Sequence, residues 1–289
     1  IDEPGDVLAP VAWIRGHRMA RAAVEMGAWD LFAKAEGVSL SSRIGGTRDR
    51  VPVGVSVGLK PDDDVLRTAV ASYVEEGYSR IKIKIKPGRD VEMLAGVREA
   101  FPDVPIMAGA NSAYSLADVD RLRALDRLGL MMIEQPLRHD DFRDHAELQA
   151  ALSTPICLDE SIESVEDTEL ALELGSCRVI NVKPGRVGGL GESLAIHARM
   201  QRAGLPVWCG GMLESGVGRA HNVALASLPG FSLPGDISAS RRYWAEDVVD
   251  PEFVVRDGHM VVPTGPGIGV DVDLDRIVAT SVRTAEFTA

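Results

Sequence analysis

The stretch RIKIKIKPG, residues 80–88, decides the fold. Isoleucine and lysine alternate through it, and a side-chain period of two marks a β-strand. Ile81, Ile83 and Ile85 take one face, suited to packing under helices, and Lys82 and Lys84 take the other. Working outward, the same kind of short apolar run recurs as VPVGVSVG (51–58), VPIMAG (104–109), LMMIEQP (130–136), TPICLDE (154–160), CRVINVK (177–183), LPVWCGG (205–211) and FSLPGD (231–236). Helix-like segments such as DVDRLRALDRLG and GGLGESLAIHARMQRAG lie between them. The C-terminal ends of the runs are Gly58, Lys84, Gly109, Glu134, Asp159, Lys183, Cys209 and Asp236, in steps of 26, 25, 25, 25, 24, 26 and 27 residues. One strand plus one helix per step predicts an α/β fold, a (β/α)8 TIM-like barrel over residues 51–250 with its site at the C-terminal strand ends. A doubly wound open sheet fits less well, because no G-x-G-x-x-G loop follows the first strand. Gly188-Gly189-x-Gly191 opens a helix and could hold an anion, although alone it is a weak signal.

Residues 1–50 precede the barrel, and GHRMARAAVEMGAWDLFAKAEG (16–37) reads as one helix closed by Gly37. Residues 251–289 follow it and include the β-like HMVVPTGPGIGVDVD. Both flanks read as remnants of a smaller second domain. The chain begins without methionine, which is expected of a fragment.

Composition narrows the function. A net charge of -12 argues against a nucleic-acid partner, which calls for a basic face. No apolar run approaches the ~18 residues of a membrane span. Cys157, Cys177 and Cys209 form no C-x-x-C pair, so neither a disulfide framework nor a zinc site is expected, and a reducing, cytoplasmic compartment is.

The barrel brings distant residues together. Lys82 and Lys84 point inward, where burial and mutual repulsion should lower one pKa and make a usable base. The bland alternative is a pair of solvated strand-end lysines, which suits Lys86 better. Glu134 and Asp159 end adjacent strands, a pairing that suits a hard cation such as Mg2+. Glu160 should point away from Asp159. Lys183 ends the sixth strand, opposite the second, so Lys84 and Lys183 would flank one substrate. That arrangement fits removal of a proton next to a carboxylate, with a metal holding the enediolate.

The motifs RIKIKIKPG, GANSAY, MIEQPL, PICLDES, NVKPGRVGG, VWCGGMLESGVGRAHN and LPGDISAS, in this order, resemble the o-succinylbenzoate synthase / N-acylamino acid racemase family. That family lies in the muconate lactonising branch of the enolase superfamily, whose sites combine a Lys or His base with one or two Mg2+ ions. The resemblance implies an α+β capping domain, to which residues 1–50 and 251–289 would belong. It implies Lys84 as general base, Lys82 as its K-x-K partner and Lys183 as the lysine on the opposite face. Glu134 and Asp159 would bind Mg2+ (or Mn2+ in its place), with Asn111 supporting the site. Gly210, Gly211 and Met212 would line the substrate, with Asp236 and Ser238 beside them. The substrate would be a small carboxylate. The synthase reaction is a syn-dehydration of the cyclohexadiene carboxylate of menaquinone biosynthesis, and the racemase reaction inverts N-acylated amino acids. Family barrels often associate, so a homo-oligomer is compatible with the chain.

The family pattern has Asp-Ala-Asn where this chain has Gly109-Ala110-Asn111. Gly109 thus takes the first metal-ligand place, which predicts weaker Mg2+ binding and slower chemistry. Three accounts stand open: an introduced substitution, a natural variant that tolerates the loss, or a non-catalytic barrel.

Overall fold

A computed structural model describes residues 1–286; the last three residues of the 251–289 segment lie outside the described residues. The strands are β1 (Arg50–Pro52), β2 (Gly54–Val57), β3 (Arg80–Lys84), β4 (Ile106–Gly109), β5 (Ile133–Glu134), β6 (Ile156–Leu158), β7 (Val179–Val182), β8 (Val207–Cys209), β9 (Val249–Asp250), β10 (His259–Val261) and β11 (Asp271–Val272). The helices are α1 (Arg18–Glu36), α2 (Leu40–Arg43), α3 (Asp63–Glu75), α4 (Asp90–Ala100), α5 (Val119–Ala124), α6 (Phe142–Ala151), α7 (Val165–Leu174), α8 (Pro184–Val187), α9 (Leu190–Arg202), α10 (Gly216–Ala226) and α11 (Leu274–Thr280).

β2 to β8 form one parallel sheet in chain order, with helices between successive strands, as the 25-residue rhythm predicts. The fold is an α/β TIM-like barrel with elements of a capping domain. Two runs depart from expectation. The first splits at Val53. Its front half, β1, pairs antiparallel with β10, and its back half, β2, pairs parallel with β3. The eighth run, 231–236, forms no regular strand. Pro234 lacks an N–H to donate, so only a short bridge is made. Gly54 N donates to Gly235 O (2.7 Å), Gly235 N to Pro52 O (3.1 Å) and Asp236 N to Cys209 O (2.8 Å). Through the eighth rung, those three bonds join the first run (Pro52 of β1 and Gly54 of β2) to Cys209 of β8.

Alternation sorts the side chains into two layers. Ile81, Ile83, Ile106, Ile133, Ile156, Ile180 and Val182 face the helices in the main core. Met107, Met132, Cys157, Val179 and Trp208 form a separate cluster inside the barrel. Trp208 is its plug, donating from Nε1 to Cys157 Sγ (3.2 Å).

Gly37 caps α1 in the left-handed conformation, as expected. The anion expectation at Gly188–Gly191 is corrected, because the chain fills that helix start itself. Glu25 of α1 is buried, and its carboxylate accepts from Leu190 N (2.8 Å), Gly191 N (2.9 Å) and Trp29 Nε1 (2.6 Å). A Cβ at Gly189 would collide with that carboxylate.

Arg48 fastens the loop before the eighth rung. Its Nη1 donates to Ala226 O (3.2 Å), Leu228 O (2.6 Å) and Phe231 O (3.0 Å), and its Nη2 to Pro229 O (2.9 Å). Arg48→Ala leaves these carbonyls without their charged donor and is expected to cost about 2–4 kcal/mol of stability. Denaturant unfolding checks this, and a loss under ~0.5 kcal/mol, the size of an ordinary surface change, would contradict it.

Candidate active site

The inward residues of the strands fill the barrel interior, and those at the C-terminal ends line its mouth. β3 contributes Arg80, Lys82 and Lys84, and β4 contributes Met107 and Gly109. β5 contributes Glu134, and the residue after β6 is Asp159. β7 carries Asn181 with Lys183 directly after it, and Gly210 follows β8. Asp236 comes from the eighth rung.

Glu134 is fully buried. Lys82 Nζ donates to its Oε1 (2.9 Å) and lies 2.6 Å from Oε2, off the hydrogen-bonding direction. Asn181 Nδ2 also donates to Oε1 (2.9 Å). Asp236 Oδ2 lies 3.3 Å from Lys82 Nζ, and its Oδ1 accepts from Arg80 Nη1 (3.0 Å). Arg80 and Lys82 both stand over the Trp208 ring, at 5.1 and 5.2 Å. Burial alone would depress Lys82, but the Glu134 and Asp236 charges outweigh it and hold the ammonium protonated. Burial alone would raise Asp236, but Arg80 and Lys82 hold it ionised.

Asp159 is held from the other side. Its Oδ2 accepts from Lys183 Nζ (2.8 Å) and its Oδ1 from Arg186 Nη1. Arg186 also donates to Ile162 O (2.8 Å) and Asn181 O (2.6 Å). Burial alone would raise Asp159, but Arg186 and then Lys183 keep it below the usual carboxylate value.

Lys84 differs from the other two lysines. Its Nζ donates to Asn111 Oδ1, and among the described residues it makes no carboxylate ion pair. Burial, and then the Lys82 charge, push its pKa below the usual lysine value. Lys86 is exposed, as expected. Glu160, next to Asp159 in sequence, has its Oε1 accepting from Asn111 Nδ2 (2.7 Å).

Gly109 pairs in register with both Lys84 and Glu134. A Cβ there would lie 2.9 Å from Lys82 Cε, 3.1 Å from Glu134 Oε2 and 3.4 Å from Lys84 Cδ. A carboxylate at 109 would therefore stand beside Glu134, between the lysines. With glycine, among the described residues no three His, Cys, Asp or Glu side chains are grouped to hold a metal ion. Glu134 and Asp159 remain as two carboxylates on adjacent strand ends.

Gly210 sits where a Cβ would meet the Asn181 amide and, at 2.7 Å, Lys183 Cε. Gly210→Ala is expected to displace Lys183 and cost about 1–3 kcal/mol by overpacking, read by denaturant unfolding. An unchanged midpoint would contradict this. A Cβ at Gly211 would collide with Asp236 O, and Met212 is half exposed. Ser238 is buried, and its carbonyl accepts from Arg219 Nε (2.7 Å), which ties it toward α10. Sequence reasoning missed Arg80, Asn181 and Arg186. The first two share the parity of Lys82 and Lys183 and were legible on that ground.

A model described as enolase C-terminal domain-like matches residues 64–276. The chain belongs to that family. It is 57% identical over 270 residues to o-succinylbenzoate synthase of Geobacillus kaustophilus, covering 93% of this chain and 72% of that one. It is 56% identical over 270 residues to N-succinylamino acid racemase of Thermus thermophilus, with coverage of 93% and 72%. A crystal structure of an enolase superfamily member from Listeria innocua superposes with a TM-score of 0.93 at 49% identity, covering 96% of this chain and 75% of that one. Within the enolase superfamily the chain thus joins the synthase and racemase group, a group of enzymes. No helix among the described residues is long and apolar enough to cross a membrane.

Proposed function

We propose that this enolase-superfamily chain is an o-succinylbenzoate synthase that removes a proton next to a carboxylate and then expels water. The asymmetry of its lysines carries the reading. Lys84 has no carboxylate partner among the described residues and a lowered pKa, whereas Lys183 Nζ is tied to the Asp159 carboxylate at 2.8 Å. One base and one fixed cation suit a dehydration, while racemisation needs a second lysine free to exchange a proton.

In this account Lys84 takes the α-proton at Nζ. The C–H electrons pass into the carboxylate as an enediolate, then return to form the C=C bond as the C–O bond breaks on the same face. Lys84 gives its proton to the departing hydroxyl, which leaves as water. Lys183 and Lys82 supply positive charge in a buried setting, where each is worth more than in water. Mg2+ is the family's source of further charge. Glu134 and Asp159 would be its two remaining carboxylates, so turnover is slow until position 109 carries a third. N-succinylamino acid racemisation is the second reading, supported by the Thermus relative at nearly the same identity.

The three free cysteines support a reducing, cytoplasmic setting. The test is to offer Gly109→Asp both the cyclohexadiene carboxylate and an N-succinylamino acid. Dehydration with the larger kcat/KM is expected. Racemisation without dehydration would sink the synthase reading.

A further inference from the structure

Gln135 is fully buried and has a φ of +43°, a left-handed conformation that glutamine seldom adopts. Such strain persists only where the surroundings over-determine it. Here six hydrogen bonds do so. The side-chain Oε1 accepts from Asp159 N (2.9 Å) and Ser161 N (3.2 Å). Nε2 donates to Ser161 Oγ (2.7 Å) and Leu137 O (3.2 Å). The backbone N donates to Cys157 O (2.8 Å), and the carbonyl accepts from Ser112 N (2.8 Å).

One residue therefore ties three strand ends. It follows Glu134 directly, holds the backbone of Asp159, and anchors the turn in which Asn111 and Ser112 are themselves left-handed, at φ +46° and +61°. We infer that Gln135 is a positioning residue that fixes Asn111, Glu134 and Asp159 relative to one another. The catalytic part of this inference rests on the proposed function; the geometric part does not.

The molecule contains its own control. Gln149 does the same work at the other end of β6. Its Oε1 accepts from Ile156 N (2.7 Å), and its Nε2 lies within reach of Leu152 O (3.5 Å) and Thr154 O (3.3 Å). That is the face of the barrel opposite the site, where a buried polar residue serves stability.

The experiment compares Gln135→Gly with Gln149→Ala by hydrogen exchange. Glycine relieves the backbone strain and removes only the side-chain bonds. Exchange in the peptide covering 158–162 should rise about 10-fold in Gln135→Gly, the loss of roughly one hydrogen bond's worth of protection, while 109–114 keeps its bond from Ser112 N to the carbonyl at 135. In Gln149→Ala the rise should be confined to 152–157. Gln135→Asn tolerates the left-handed backbone but is one methylene short; it should open the same segment, so the answer does not hang on one variant. Unchanged exchange in 158–162, or equal opening of it by Gln149→Ala, overturns the inference.

In the Gly109→Asp background, kcat should fall about 10-fold or more in Gln135→Gly with KM within about 3-fold, the signature of lost transition-state positioning. Gln149→Ala should keep kcat, and an equal fall in both variants also overturns the inference. If Gly109→Asp turns over neither substrate, the functional reading fails, and hydrogen exchange alone decides the geometric tie.

Discussion

Lys84→Ala, made in the Gly109→Asp background, is expected to lower kcat for dehydration by about 10³-fold, the usual worth of a positioned general base. Lys183→Arg is expected to do far less, within about 10-fold, because arginine keeps the charge facing Asp159 yet cannot act as a base at neutral pH. The contrast follows from the contacts. Lys84 Nζ rests on the Asn111 amide with its pKa lowered, and Lys183 Nζ is 2.8 Å from a buried carboxylate. Steady-state kinetics of the two variants checks this. Equal losses of ~10³-fold would mean that both lysines exchange protons, and the one-base account would fail.

Gly109→Asp is expected to tighten Mn2+ or Mg2+ binding by at least about 100-fold, since even outer-shell changes at metal sites cost 10–100-fold. The new side chain has a place to go. Its Cβ would be 3.1 Å from Glu134 Oε2, and its closest neighbour, Lys82 Cε at 2.9 Å, belongs to a flexible chain that can give way. The added carboxylate also competes for the Lys82 ammonium and frees Glu134. Calorimetric titration of both proteins with Mn2+ reads the change directly, without reference to turnover. Equal affinities would mean that Glu134, Asp159 and water already satisfy the ion, and that Gly109 is no defect.

Much of this was legible before any coordinates. The alternation in RIKIKIK predicts which residues of β3 face inward, and the 25-residue rhythm predicts the order of the parallel sheet. Both are period arguments, and periods survive folding because strand geometry enforces them. The eighth rung was less legible. Its apolar run looks like the others, but Pro234 limits it to a bridge, and a proline's effect on pairing depends on which side its missing N–H faces.

Partners across the barrel were not legible at all. Nothing in the local sequence says that Arg186 reaches back to Asp159, that Asp236 binds Arg80 and Lys82, or that Glu25 seals the start of α9 from 165 residues away. These contacts follow from closure of the barrel and from the docking of α1. Gln135 lies between the two cases. Its motif, LMMIEQP, marks the end of a strand, but its role depends on a backbone twist that no side-chain period reports.

The central claim is that this barrel carries synthase chemistry limited by one missing carboxylate. The most direct measurement is the rate of o-succinylbenzoate formation in saturating Mg2+, comparing this chain with its Gly109→Asp variant. The account predicts a slow parent and a variant faster by about 100-fold or more, in line with restoration of a metal ligand. A parent as fast as the variant would contradict it.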